Sequence, residues 1–177
     1  MVDMTIVPDD KDWTWVLQRP CADCGLDATG VDVRTVPDRV REMPRQWAEV
    51  LARPDATTRP DPTTWSPVEY ACHVRDVCTL FGRRITLMLE QDDPQFANWN
   101  QDVTAVEQRY EHQDPAVVTG ELADAAASIA QIIENVPQGS WQRPGRRSDG
   151  SRFTVETLVR YFLHDLEHHL VDVASTP

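Results

Sequence analysis

"SPVEYACHVRDVCTLFGRRITLM", residues 66–88, announces a helix at its start and along its length. Ser66 is a good N-cap. Pro67 takes the first helical position, where its missing N–H leaves nothing unpaired, and Glu69 completes an S-x-x-E capping box. Behind this cap, Val74, Val77, Phe81, Ile85 and Met88 recur at the helical period. The spacing predicts a helix from Ser66 to about Gln91 with one buried face. His73 stands at the edge of the apolar stripe and should face whatever that stripe packs against.

Three further helices are predicted around this one. Val40, Met43, Trp47 and Val50 mark a first helix over roughly 37–52. Asp114 as N-cap and Pro115 after it open a third, which runs through Leu122, Ala126, Ile129 and Ile133 until Pro137 and Gly139 stop it. A fourth runs from near Thr154 to about Ala174. Four amphipathic helices of this length imply an all-α four-helix bundle. No stretch reads as a convincing strand. Residues 1–35 are rich in Pro, Asp, Gly and Trp and show no helical period. They are expected to form an irregular N-terminal segment that packs Trp13, Trp15 and Leu17 onto a bundle spanning 36–177. The connection between the second and third helices is about 22 residues, long for a bundle. It should hold a short helix near 100–110 and is either a packed crossover or the wall of a site.

The chain has 177 residues, enough for one domain with a full core, and its 41% hydrophobic and 26% charged content is that of a soluble globular protein. A net charge of −12 speaks against binding nucleic acid through a broad phosphate-contacting surface. No apolar run approaches the ~18 residues of a membrane span, and the N-terminus lacks the basic and apolar regions of a signal peptide. The expectation is a cytoplasmic protein without nucleic-acid or membrane partners. Lys11 is the only lysine. Heavy use of Arg, Ala, Val and Asp suggests a GC-rich genome.

Cys21 and Cys24 form a C-x-x-C pair. A structural zinc site needs a second pair of ligands, and no other C-x-x-C exists. Reduced cysteines are therefore the plain reading, with a redox-active or metal-binding pair as the alternative. Cys72 and Cys78 should point to opposite sides of their helix.

The remaining chemistry is concentrated in "HDLEHHLVDV", residues 164–173. On a wheel of ~100° per residue, Leu158, Phe162, Leu166 and Val173 share an arc, and His169 lies inside it. Asp165 sits ~40° from His169, one turn earlier at the arc's edge. His164 and His168 fall nearly opposite, on the polar side. The inward pair is thus Asp165 and His169. A buried carboxylate beside a buried imidazole is costly unless compensated, and a metal ion would compensate it. His73, Asp165 and His169 would supply two nitrogens and one oxygen and leave coordination positions open, the pattern of a catalytic site. A buried ion pair that only stabilises the bundle accounts for Asp165 and His169 equally on spacing alone. His112, in the crossover, has no partner at ligand spacing and is expected in solvent.

"WSPVEYACHVRDV" at 65–77, followed about ninety residues later by the histidines of the last helix, resembles the DinB/YfiT-like superfamily. The resemblance covers roughly residues 36–174. It implies a four-helix bundle that holds a divalent metal through one residue of helix two and two of helix four at i, i+4. In most members the helix-four pair is two histidines. The mycothiol-dependent maleylpyruvate isomerases resemble this chain differently, with an acid, three residues and then a histidine. Aligning that pattern on "DLEHHLVDV" sets Asp165 and His169 as ligands and brings Asp172 into register. The alternative register, His164 and His168, would turn the ligands away from the apolar face. The resemblance further implies a metal-dependent thiol S-transferase that uses mycothiol against an electrophilic small molecule. Zinc is the expected metal, with nickel, iron or manganese as alternatives. A homodimer is also among the expected partners. Asn100 with Asp102, or Arg83, would hold the thiol's polar tail. A metal-dependent hydrolase, a thiol-dependent isomerase and a non-catalytic ligand-binding bundle are the competing functions.

Overall fold

Capping decides where the long helices begin. In the computed structural model, which describes residues 6–8 and 11–174, the Ser66 backbone N–H and hydroxyl both donate to Glu69 Oε2 at 2.8 Å. Asp114 accepts from the Ala116 N–H at 2.8 Å. Thr154 and Thr157 cap each other, the backbone N–H of each donating to the hydroxyl of the other. The helices are α1 (Val36–Leu51), α2 (Pro67–Glu90), α3 (Gln101–Glu107), α4 (Pro115–Glu134) and α5 (Val155–Ala174). α1, α2, α4 and α5 are the four helices expected from the sequence, and α3 is the short one expected in the crossover.

α4 packs against α1 and α2, and α5 packs against α2 and α1, while α1 and α2 meet only weakly. The consecutive helices α1 and α2 thus stand diagonally across the bundle. This arrangement requires long connections, and it makes α2 and α5 neighbours. The core between them is apolar: Trp47, Phe162, Ile85, Met88, Leu122, Ile129, Ile133, Leu158 and Leu166 are fully buried. Each such side chain contributes about 1.5–3 kcal/mol relative to exposure. α4 is long and apolar enough to cross a membrane by length and composition. Its apolar stripe, however, is spent on α1 and α2.

The expectation of no strands is corrected. β1 (Gln95–Phe96), β2 (Pro144–Arg147) and β3 (Arg152–Thr154) form a small sheet in that order. β1 pairs with β2 in parallel, and β2 pairs with β3 antiparallel. Strands of two to four residues are too short for an alternating pattern to be seen. The β2–β3 turn is built on Gly150, whose φ of +95° suits glycine. The sheet lies directly on the end of α2: a Cβ on Gly145 would come within 2.7 Å of Met88 Cγ.

The N-terminal segment has local order that helical periodicity does not detect. Among its described residues it makes three 3₁₀ turns, Trp13–Leu17, Ala28–Gly30 and Val33–Thr35, and each begins with an Asp whose carboxylate accepts the N–H two residues on. That is the use of Asp12, Asp27 and Asp32. The first two turns pack on α5. Val16 and Ala28 are buried completely, while Trp13, Trp15 and Leu17 are half-buried.

Glu69 has a second task. Arg59, in the connector before α2, donates to its carboxylate from Nε at 2.9 Å and from a terminal nitrogen at 2.5 Å. Burial alone would raise the Glu69 pKa, but the Arg59 guanidinium and the Ser66 donors hold it below the ordinary carboxylate range. The stabilisation is present above the unfolded glutamate pKa and is lost as pH falls through the depressed folded value. Glu69→Gln should therefore cost about 2 kcal/mol at neutral pH. The deficit relative to wild type should shrink in acid, read from urea midpoints across pH. A deficit that stays constant with pH would show that the charge plays no part.

Candidate metal centre

The α2–α5 seam brings His73, Asp165 and His169 together. His73 Nε2 lies 3.4 Å from Asp165 Oδ1. His169 Nε2 lies 3.7 Å from the same oxygen. The two imidazole rings meet edge to face, with centroids 4.8 Å apart. One donor atom from each of the three residues falls within 4.8 Å of the others. His73 is 1% exposed. Both of its ring nitrogens and Asp165 Oδ1 are buried, and none makes an aligned hydrogen bond to a protein group. The 3.4 Å approach lacks hydrogen-bond geometry. Buried polar atoms rarely go unpaired, because each costs about 1–3 kcal/mol. Two imidazole nitrogens and a carboxylate oxygen converging on one point fit a divalent cation.

The surroundings fix these side chains in place. Asp172 Oδ2 lies 2.9 Å from His169 Nδ1. A carboxylate can only accept, so the proton is on Nδ1, and the Nε2 lone pair is left toward Asp165. A carboxylate behind a ligating histidine is the usual support in metal sites. His73 is held between Trp65, at 5.5 Å between centroids, and Trp99, stacked nearly parallel at 5.3 Å. Burial alone would raise the Asp165 pKa; the neighbouring His73 and His169 outweigh it and bring the carboxyl down to about 2. Asp165 is therefore an anion at neutral pH.

A cavity of about 530 Å³ opens beside the cluster. Trp13, Trp65, Tyr70, Trp99 and Tyr161 give it aromatic walls, and Asp12, Asn98, Asn100, Asp102, Arg147 and Asp149 give it polar ones. Asn98 to Asp102 come from the crossover between α2 and α4, so that connection is a wall of the site. Asn100 and Asp102 line the cavity, and Asn100 Oδ1 is occupied in capping α3 through the Val103 N–H. Arg83 does not reach the site. It lines a separate groove with Gly82 and Ile129, because the helical phase turns it toward α4. The inward arginine is its neighbour Arg84, which is buried and donates to the Ala97 carbonyl at 2.9 Å, clamping the crossover onto α2. Sequence patterns did not single out Trp99, Arg147 or Tyr161. His112 is exposed as expected, 3.7 Å from Glu111.

His164 and His168 require a correction. They do not face solvent: His164 is 3% exposed and the His168 side chain 12%. The N-terminal segment covers that side of α5. The Trp13 ring lies 5.7 Å from His164 and 5.0 Å from His168, and Cys21 Sγ lies 3.7 Å from His168 Nδ1. Burial, followed by the charge of His168, pushes the His164 pKa down to about 4. A wheel drawn against the bundle core alone cannot register a second partner on the opposite face.

Comparison with known proteins agrees with the fold. A family model described as the DinB superfamily matches residues 38–172. No curated protein matches the chain. Among solved structures, the fold is similar to YfiT from Bacillus subtilis, described as a probable metal-dependent hydrolase with an unusual four-helix bundle topology. The TM-score is 0.70 at 15% identity, covering 80% of this chain and 85% of that one.

The Asp172 contact fixes the His169 tautomer. Long-range ¹H–¹⁵N correlation spectra at neutral pH should show the metal-free His169 protonated on Nδ1, and Asp172→Ala should let the ring revert toward the Nε2–H form. An Nε2–H tautomer in the wild-type chain would mean that His169 presents the wrong nitrogen to Asp165.

Proposed function

The chain belongs to the DinB superfamily, and on that premise we propose that it is a metal-dependent enzyme whose divalent cation is held by His73, Asp165 and His169. The observation that carries this reading is the convergence of three donor residues beside an open cavity, with the His73 nitrogens and Asp165 Oδ1 buried and making no aligned hydrogen bond. Two nitrogens and one carboxylate oxygen suit zinc, with nickel, iron and manganese also compatible with the donor set. A cation there would supply Lewis acidity, lowering the pKa of a thiol or a water so that it is nucleophilic at neutral pH.

The finer reading is thiol S-transfer from mycothiol to a small electrophile. The shape and lining of the cavity support it. Its 530 Å³ exceed what a nucleophilic atom and a small electrophile require. Tryptophan faces beside amide and carboxylate groups suit the polyhydroxylated tail of a sugar-bearing thiol, packing on its C–H faces and accepting from its hydroxyls. The roles of the chain's own residues follow from position. Asp172 orients His169. Trp65 and Trp99 fix the His73 ring. Trp99 and Trp13 restrict water at the cluster, and Asn98 and Asp102 hold the thiol's tail. Metal-dependent hydrolysis is the second reading, favoured by the description of the structurally similar YfiT.

Replacing His73, Asp165 or His169 with Ala should each remove one equivalent of tightly bound metal relative to wild type, by elemental analysis. Asp172→Asn should weaken binding at that site by about 10–100-fold. Retention of full metal by Asp165→Ala would overturn the ligand set.

Activity separates the two readings. Holo-protein should accelerate conjugation of mycothiol to a bimane or haloarene. Chelation should abolish that rate, and added divalent metal should restore it. Equal rates for holo-protein, apo-protein and Asp165→Ala, together with chelator-sensitive ester or amide hydrolysis without thiol, would replace transfer with hydrolysis.

A further inference from the structure

We propose that Cys21, Cys24, His164 and His168 form a second metal site, a closed two-sulfur, two-nitrogen centre suited to zinc, which fastens the N-terminal segment to α5. One donor atom from each of the four residues lies within 4.8 Å of all the others. Cys21 Sγ and His168 Nδ1 are 3.7 Å apart. Tetrahedral zinc, with bonds of about 2.3 Å to sulfur and 2.0 Å to nitrogen, separates two such ligands by about 3.5 Å. The pair is therefore close to coordination distance before any ion draws it together.

Each half of the site is shaped for this use. The cysteines lie on a tight loop in which the Gly25 N–H donates to the Cys21 carbonyl at 2.8 Å and the Cys21 N–H to the Leu26 carbonyl at 2.9 Å. Gly25 turns this loop at φ +77°. Both thiols are free. The histidines are one helical turn apart on α5, their ring centroids separated by 5.1 Å. His164 Nε2 is buried without a hydrogen-bond partner. Asp172 Oδ1 lies 3.7 Å from His168 Nε2, while Oδ2 of the same carboxylate contacts His169. One carboxylate thus stands behind a histidine of each centre. Four donors of nitrogen and sulfur leave no position for substrate, so the site is structural, and thiolate ligands select a borderline-soft cation such as zinc. The alternative, a redox-active C-x-x-C, needs an exposed thiol of depressed pKa. Here Cys21 is 1% exposed.

The fastening has a consequence for the first centre. The 3₁₀ turn that carries Trp13 has both histidines against its indole, and Trp13 lines the catalytic cavity. Holding residues 11–35 on α5 therefore completes one wall of that cavity.

The test is metal stoichiometry with cobalt as a spectroscopic probe. Wild-type protein reconstituted with zinc under reducing conditions should hold two equivalents per chain. Cys21→Ser/Cys24→Ser should lose one and keep a wild-type far-ultraviolet circular dichroism spectrum. His73→Ala should lose the other. Cobalt bound to wild type should show near-ultraviolet thiolate-to-cobalt charge transfer, preserved in His73→Ala and absent from the cysteine variant. The wild-type band decides the matter even if a variant fails to fold. Trypsin should also cut at the exposed Arg34 faster in the cysteine variant than in wild type. No thiolate band in wild type, a single equivalent of zinc insensitive to cysteine alkylation, or isolation of Cys21–Cys24 as a disulfide from reduced cytosol-like buffer would each overturn the site.

Discussion

A carboxylate oxygen cannot be closed off at a helix seam without a counter-charge, and Asp165 turns its Oδ1 into the α2–α5 seam. Its Oδ1 is closed off from solvent with an imidazole nitrogen on each side. In a low-dielectric setting such a group must be protonated, paired or bound to a cation. The neighbouring His73 and His169 keep it ionised, with the pKa held down to about 2. The choice is thus between a pair and a cation. The lack of an aligned hydrogen bond to either imidazole favours the cation. The tryptophans around His73 and the Asp172 carboxylate behind His169 then read as parts that hold three ligands in register.

The bundle topology is what makes the seam available. Because α1 and α2 stand diagonally, α2 borders α5, and His73 meets a helix that lies about ninety residues later in the chain. The same topology requires long connections. The crossover from α2 to α4 carries β1 and α3 and brings Trp99 over His73, with Arg84 tying its backbone down. The β2–β3 hairpin, packed on Met88, brings Arg147 and Asp149 to the cavity rim. Helices supply the inner part of the site, and the connections supply its walls.

The helices were legible because their signals are local. Ser66, Asp114 and the prolines after them fix the starts, and apolar residues at helical spacing fix the faces. Helical phase turns His73 on α2, and Asp165 and His169 on α5, toward the bundle interior, and the packing of the two helices brings them together. What was not legible depends on contacts distant in sequence. His164 and His168 appeared polar-facing because a wheel shows only a helix's own periodicity, while their partner, the loop at 21–26, belongs to a segment without any. The Cys21–Cys24 pair lacked a second C-x-x-C, and its complement is a histidine pair some 140 residues away. One residue of helical phase sends Arg83 to α4 and turns Arg84 inward. The three short strands fell below the length at which alternation can be seen.

The most direct measurement is anomalous X-ray diffraction from crystals grown with zinc, with data collected on both sides of the zinc absorption edge. An ion bonded to His73, Asp165 and His169 predicts an edge-dependent peak within bonding distance of a nitrogen of each histidine and of Asp165 Oδ1, facing the cavity. No such peak at the α2–α5 seam, with Asp165 instead hydrogen-bonded directly to His73, would reduce the cluster to a buried ion pair and contradict the metal centre.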